Sequence, residues 1–122
     1  MEVLAVSARE DDDFDWICAW YRAHCDGDWE HGFGVRLESM DNPGWYFAVD
    51  LKGTELERVP FSRVEHNLAD AEAGLEARNW WHCEVENGTF NGYCGPWDIR
   101  TVFKYFRLWA ETNSAKARAI AV

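Results

Sequence analysis

The sequence predicts an α+β fold in which an N-terminal helix and a C-terminal helix pack on an antiparallel sheet of about five strands built from hairpins. Apolar residues recur at helical spacing near both ends, whereas the middle alternates apolar and polar residues between turn dipeptides such as Asn87-Gly88. At 122 residues the chain has room for one core. Residues 1–122 are therefore expected to form a single domain, with residues 1–12 and 113–122 as loose arms.

The composition predicts a folded domain without a targeting segment. The chain is 48% hydrophobic and 16% aromatic, which is typical of a protein with a packed core. No apolar run reaches the roughly 18 residues of a membrane span, and the N-terminus lacks the basic region of a secretory signal. We therefore expect a cytoplasmic location and reduced thiols, with the cysteines acting as small buried hydrophobes: Cys18, Cys25, Cys83 and Cys94.

The first helix is predicted over residues 13–25, after a run of acids suited to its positive end. Its buried stripe is expected to contain Phe14, Ile17, Cys18, Tyr21 and Cys25, widened by Trp16 and Trp20. Gly27 can adopt the left-handed conformation that ends a helix. If the chain is extended beyond it, Asp28 and Glu30 share one face of a strand while Trp29 and His31 share the other.

A first hairpin is predicted on both sides of the Asn42-Pro43-Gly44 turn. Pro43 presets φ for the first central position, and Gly44 supplies the positive φ expected at the second. The strand before the turn alternates at Phe33, Val35 and Leu37, and the strand after it at Trp45, Phe47, Val49 and Leu51.

The second half predicts one more hairpin and the last helix. Residues 59–64 are expected to form an edge strand because they include Pro60, and residues 67–79 a polar helical turn or a long loop. Alternation over residues 81–85 leads through Asn87-Gly88 into residues 89–93. Pro96 is expected to open the last helix, whose buried face is predicted to be Ile99, Val102, Phe103, Phe106 and Ala110.

The charge is distributed unevenly along the chain. The net charge is −10, and residues 1–57 hold 14 acidic against 4 basic side chains while residues 58–122 hold 8 of each. An acidic surface repels nucleic acid and anionic membranes and attracts basic proteins, so we expect neither nucleic acid nor membrane as a partner. The alternative is that the acids serve only solubility.

Three kinds of site chemistry are conceivable for the corner of residues 25–31. A metal site would use Cys25, His31, Cys83 and Cys94 with His24 and His82, yet the short ligand spacings of closed zinc sites are missing, so we expect no metal and no cofactor. A cysteine nucleophile is disfavoured because Cys25 faces the negative end of a helix dipole. Paired carboxylates at Asp26, Asp28 and Glu30 could act as acid and base, but acids at such a corner also cap backbone amides.

Protein recognition is the fourth possibility, and the sequence favours it. Trp29, Trp45, Trp80, Trp81 and Tyr46 are too many large rings for so small a core, and exposed tryptophan beside acids makes a good anchor. An acidic face can also occupy the cationic groove of an enzyme that acts on nucleic acid. The predicted partner-binding residues are Asp26, Asp28, Trp29, Glu30, His31, Asp41, Asn42 and Trp45.

Several strings of this sequence resemble the immunity protein 53 family of bacterial polymorphic toxin systems. They are Trp20-Tyr21, Cys25-Asp26-Gly27-Asp28-Trp29-Glu30-His31, Gly34, Leu37, Asp41-Asn42-Pro43-Gly44-Trp45, Asp50-Leu51, Gly53-Thr54-Glu55-Leu56, Trp81-His82-Cys83-Glu84-Val85, Phe90-Asn91-Gly92 and Gly95-Pro96. The resemblance spans roughly residues 16–110. It implies a small cytoplasmic α+β protein that binds and neutralises the catalytic domain of a toxin encoded beside it. It carries over no catalytic residue.

We therefore predict a non-enzymatic immunity protein whose acidic, tryptophan-containing surface binds a basic toxin domain, with a nuclease fitting the charge best. One alternative is a small hydrolase or a metal- or ligand-binding protein that uses the Cys25–His31 corner. Another is a structural subunit whose exposed tryptophans are buried in a homodimer.

Overall fold

A computed structural model describes residues 12–76 and 78–113 of the chain. Its helices are α1 (Asp13–His24), α2 (Trp29–Gly32) and α3 (Ile99–Asn113), and a 3-10 helix covers Leu68–Glu76. Its strands are β1 (Val35–Met40), β2 (Gly44–Asp50), β3 (Val64–His66), β4 (Trp81–Glu86) and β5 (Thr89–Cys94). These elements confirm the predicted α+β fold.

The strands form one antiparallel sheet in the order β1-β2-β5-β4-β3. The predicted hairpins are β1–β2 and β4–β5, and they join side by side where β2 pairs with β5. Phe47 of β2 lies opposite Gly92 of β5, which lies opposite Cys83 of β4. Because residues directly opposite one another share a face, the register assigns every strand residue to one of two faces.

One face of the sheet carries the core, and both long helices pack on that side. Phe47, Phe90 and Phe106 contact one another at ring-centroid distances of 5.2 to 6.2 Å. α3 packs against α1, β4 and β5. Gly92 is required at the centre of β5 because a Cβ there would collide with Cγ1 of Val102 on α3. The helices and this face of the sheet therefore form the two layers of the molecule.

α1 begins and ends near the predicted bounds but buries a different stripe. Asp12 is its N-cap and accepts hydrogen bonds from the amides of Phe14 and Asp15, so Asp12 is part of an ordered cap, not of a loose arm. The buried residues are Trp16, Ile17, Trp20 and His24. Phe14, Cys18 and Tyr21 are exposed, contrary to the prediction, because α3 and Trp29 lie on the tryptophan side of the helix.

The Asn42-Pro43-Gly44 turn joins β1 and β2 as predicted, but for a different reason. Gly44 is not among the described residues with positive φ, so the predicted left-handed turn glycine is wrong. Instead, a Cβ at Gly44 would collide with the carbonyl oxygen of Cys94 on β5. Glycine is needed there for the close approach of two strands.

The remaining differences concern element boundaries. β3 begins at Val64, the last residue of the predicted segment 59–64, and it is an edge strand as predicted. The ambiguous segment of residues 67–79 contains the 3-10 helix, and Asn67 and Asn79 on either side of it have positive φ. α3 begins three residues after Pro96 and includes Asn113, which is therefore not in an arm. The rest of both predicted arms lies outside the described residues.

Candidate functional site

The predicted acidic corner, residues 25–31, is a turn closed by its own carboxylates. Gly27 has φ of +91°, as predicted, but the chain then enters α2 and not a strand. The two carboxylate oxygens of Glu30 accept hydrogen bonds from the amides of Asp26 at 2.9 Å and Gly27 at 2.8 Å. In return, Oδ1 of Asp26 accepts hydrogen bonds from the amides of Asp28 at 2.9 Å and Trp29 at 3.0 Å. The capping alternative weighed from the sequence is thus realised.

These bonds act on the acidity of Glu30. Hydrogen bonds from backbone amides, first that of Glu30 itself and then those of Asp26 and Gly27, lower the pKa of the Glu30 carboxyl against an opposing effect of desolvation. A proton on this carboxyl would displace an amide. The Glu30 carboxylate is therefore bound to its own backbone and is not poised to transfer a proton.

Trp29 was predicted as an exposed anchor, and its ring is buried. Its side chain is only 7% exposed and packs edge-on against Trp20, with ring centroids 6.3 Å apart. The indole nitrogen donates a hydrogen bond to the carbonyl oxygen of Lys52 at 2.9 Å. The prediction of an exposed ring is wrong because α2 turns Trp29 inward, where a strand would have left it at the edge of the sheet.

The two predicted segments lie at opposite ends of β1. The acidic corner leads through α2 into Val35, whereas Asp41 and Asn42 follow Met40. β1 has six residues, so its end residues are about 17 Å apart. Asp28, His31, Asp41 and Asn42 are exposed, and Trp45 is half-buried with its indole nitrogen donating to the carbonyl oxygen of Pro96. The predicted residues therefore do not form one compact site.

Between these two segments lies a surface that the sequence prediction missed. It is the face of the sheet turned away from α1 and α3, and we call it the open sheet face. It contains Arg36, Glu38, Tyr46, Ala48, Asp50, Glu65, His82, Glu84, Glu86, Thr89, Asn91 and Tyr93. The alternation that predicts the core also indicates this face, because the polar residues between the core residues of each strand point to the opposite side of the sheet.

An aromatic row crosses the middle of the open sheet face. Tyr46 and Tyr93 lie directly opposite each other on β2 and β5 and stack with ring centroids 5.0 Å apart. His82 lies next in the row, 5.8 Å from the Tyr93 ring. The Tyr46 hydroxyl donates a hydrogen bond to Oδ1 of Asn91 at 2.6 Å. Ring stacking and this hydrogen bond hold the row in a fixed arrangement before any partner arrives.

Arg36 and Asp50 form an ion pair on the same face. Its guanidinium nitrogens lie 3.1 and 3.4 Å from the two carboxylate oxygens of Asp50. Ala48, the residue opposite Arg36 in the register, is completely buried although it belongs to this face. The Asp50 carboxylate also accepts hydrogen bonds from the amide of Gly34 at 2.9 Å and from the hydroxyl of Thr89 at 3.5 Å. Asp50 thus ties the open sheet face to the segment that enters β1.

The charge of the open sheet face is negative. Five carboxylates lie on it, those of Glu38, Asp50, Glu65, Glu84 and Glu86, against the guanidinium of Arg36. The guanidinium of Arg63, from the segment before β3, reaches Glu65. Burial, then the charges of Tyr46, Glu84 and Glu86, raise the pKa of the Tyr93 hydroxyl. The field around the aromatic row therefore favours cationic groups.

The candidate thiols and metal ligands of the chain lie in different surroundings. The Cys25 thiol donates to the carbonyl oxygen of Tyr21 at 3.3 Å, and the depression beside it is lined by Ala19, Arg22, Ala23 and Cys25. Within residues 12–76 and 78–113, no three His, Cys, Asp or Glu side chains are grouped so that they could hold a metal ion. Burial raises the pKa of the Cys83 and Cys94 thiols to about 12 each, with the charge of Asp98 adding to the effect at Cys94.

Comparison with known proteins identifies one family. The family model described as immunity protein 53 matches residues 14–111, a range that includes β1 to β5, α2, all but the first residue of α1 and most of α3. Comparisons with curated proteins and with solved structures gave no match. No described helix is long and apolar enough to cross a membrane.

Proposed function

Because the chain belongs to the immunity protein 53 family, we propose that it binds a cognate bacterial toxin domain and neutralises it. In this proposal the protein acts in the cytoplasm as a stoichiometric inhibitor within a polymorphic toxin system and catalyses no reaction. The observation that carries the proposal is the family match over residues 14–111.

The charge of the chain supports a basic toxin domain as the partner. The net charge is −10, and its whole surplus lies in residues 1–57. Toxins that act on nucleic acid carry basic grooves that attract phosphates, and a carboxylate-rich protein competes for the same groups. A basic nuclease domain therefore fits the charge best.

The exposed members of the predicted segments contribute to the approach of the toxin. Asp28 and His31 at the corner, and Asp41 and Asn42 at the β1–β2 turn, are exposed at the two ends of β1. Rim charges of this kind mainly change the association rate. Asp26 and Glu30 contribute charge to the same field, while their carboxylates also hold the corner together. Trp29 is buried, so in this proposal it supports the core and does not contact the toxin.

The function is tested by co-expression with the toxin domain encoded in the neighbouring reading frame. Cells that produce this domain alone should stop growing, and cells that also produce the intact chain should grow. The purified proteins should form a complex on size-exclusion chromatography. If growth still stops in the presence of the folded chain, or if no complex forms, the chain is not an inhibitor of that toxin.

The steering role of the corner is tested separately with Asp28→Asn. This change removes one negative charge and should leave the fold intact, because the Asp28 side chain makes no cap hydrogen bond. The association rate should fall about two- to fivefold at low salt and by less at 0.5 M salt. Leu108→Lys on the exposed side of α3 changes the net charge by the same amount and serves as the matched control.

A further inference from the structure

We propose that the open sheet face is the surface on which the toxin domain docks, with the stacked Tyr46 and Tyr93 rings at the centre of the contact and the carboxylates around them against basic side chains of the toxin. This inference rests on the proposed function, since it names the surface and the partner chemistry of the same activity. It replaces the acidic corner as the main contact and leaves the corner at its edge.

The position of the face in the fold supports this assignment. α1 and α3 both pack on the opposite face of the sheet, and the core residues of β2, β4 and β5 point toward them. The aromatic row lies on the three central strands, β2, β5 and β4, and it is flanked by Glu38 on β1 and Glu65 on β3. A surface built on paired strands is rigid, so a partner that docks on it loses little free energy to ordering.

The centre of the face has the composition of a protein-binding hot spot. Tyr46 and Tyr93 are half-buried, so each ring has an exposed surface that a partner can cover. Tyrosine combines a large apolar ring with a polar hydroxyl and is enriched where binding energy is concentrated. The stack at 5.0 Å and the Tyr46 hydrogen bond to Asn91 fix the ring positions in advance. Glu38 and Glu86 are exposed at the border, where charged side chains exclude wrong partners.

The charges on this face select a cationic partner. The guanidinium of Arg36 is held by both oxygens of Asp50, and that of Arg63 lies at Glu65. Glu84 contacts Nε2 of His82 at 3.1 Å, and together with Glu38 and Glu86 it leaves the face with a negative surplus beside the tyrosine row. Lysine and arginine side chains of a toxin would meet these carboxylates at its rim, and an arginine could also stack on a tyrosine ring.

The same charges argue against a second copy of this chain as the occupant. A two-fold dimer through this face would place the five carboxylates of one copy against those of the other. Like charges brought together at an interface are unfavourable. A basic protein therefore fits the face better than a second copy.

Two variants test the contact with the toxin domain encoded in the neighbouring reading frame. Glu84→Gln with Glu86→Gln removes two charges beside the tyrosine row, and Tyr93→Ala removes half of the stack. We expect the Kd to rise about tenfold for the double variant and about 30-fold for Tyr93→Ala. Leu108→Lys with Ser62→Lys changes the net charge equally, at exposed positions that line the groove between α3 and residues 60–64. This control should raise the Kd less than threefold.

The outcomes separate this inference from the proposed function. If the intact chain does not bind the toxin, the proposed function fails. If the intact chain binds and both double variants weaken binding equally, only the net charge matters and the docking face is wrong. Unchanged affinity of the Glu84/Glu86 variant, which lies on exposed or half-exposed positions and should fold, would also overturn the inference. So would a dimer of the isolated chain that Tyr93→Ala dissociates. Circular dichroism of each variant confirms that it is folded.

Discussion

The indole nitrogen of Trp29 donates a hydrogen bond to the carbonyl oxygen of Lys52, and this bond connects the corner after α1 to the turn after β2. The ring lies against Gly53, where a Cβ would come within 3.1 Å of it. Gly53 also has a positive φ of 84°. Trp29, the tryptophan of the corner, is therefore a core residue that joins two loops.

Trp29→Ala should destabilise the fold by about 3–5 kcal/mol, because it removes a large buried ring and leaves a cavity beside Trp20. Thermal denaturation followed by circular dichroism measures the loss. Trp29→Phe keeps part of the packing and should therefore destabilise the fold by less than Trp29→Ala. A Trp29→Ala protein with unchanged stability but weakened toxin binding would instead support the anchor role predicted from the sequence.

The Glu30 hydrogen bonds predict a pH dependence with a defined sign. Since the pKa of Glu30 is lower in the folded chain than the ordinary glutamate value of 4.5, its stabilising effect is complete above that value. The effect is lost as the pH falls through the folded-state pKa. Glu30→Gln should therefore lower the Tm at pH 7 more than at pH 3. Asp28→Asn, at the same corner but without a cap bond, should show no such difference. An equal decrease in Tm for Glu30→Gln at both pH values would contradict the assignment.

The sequence predicts those elements well whose conformation depends only on neighbouring residues. The Asn87-Gly88 dipeptide predicted its hairpin because both residues can take positive φ, and they have φ of 56° and 76°. The nature of the corner could not be predicted in this way. Whether residues 29–32 form a strand or a helix depends on the room for Trp29 against Trp20, which lies on another element. The local pattern does not contain that contact.

Long-range contacts also explain the other missed features. The sequence predicts a turn role for Gly44, yet glycine is needed there because of Cys94, which is 50 positions away in the chain. The open sheet face could not be predicted because its central contact joins Tyr46 to Tyr93, and these two residues become neighbours only through the register of β2 and β5. Alternation alone assigns a residue to a face, but only strand order shows which polar residues lie side by side.

The close contact between Gly92 and Val102 predicts a coupled pair of substitutions. Gly92→Ala should destabilise the fold by about 1–3 kcal/mol, because the new methyl group would overlap the Val102 side chain. Val102→Ala alone should cost about 2 kcal/mol for the lost methyl groups. Together the two changes should cost clearly less than their sum, since one methyl group takes the space of another. Denaturant titration of all four proteins measures the coupling, and strict additivity would contradict it.

The four cysteines should separate into two classes by reactivity. Burial raises the pKa of Cys83 and Cys94 to about 12, so at pH 8 only about one thiol in ten thousand is ionised. Cys18 is exposed and Cys25 partly exposed. An aromatic disulfide reagent should therefore modify Cys18 and Cys25 in the folded chain, and Cys83 and Cys94 only after unfolding.

A Cys18→Ser variant provides the control for this count, because it should remove one of the rapidly modified thiols and leave the slow class unchanged. Peptide mapping by mass spectrometry identifies which cysteine has reacted. Rapid modification of Cys83 in the folded protein would show that β4 is less well covered than the structure indicates.

The strand order has a consequence for the moment at which the protein becomes active during its synthesis. The middle of the sheet cannot form until β5 has been synthesised, because β2 pairs with β5. The apolar side of both strands is covered by α3, the last element described. A nascent chain whose Ile99–Asn113 segment is still in the ribosome therefore lacks a complete hydrophobic core. If the proposed function holds, a cell that makes the toxin and this chain together is protected only after synthesis of the chain has passed α3.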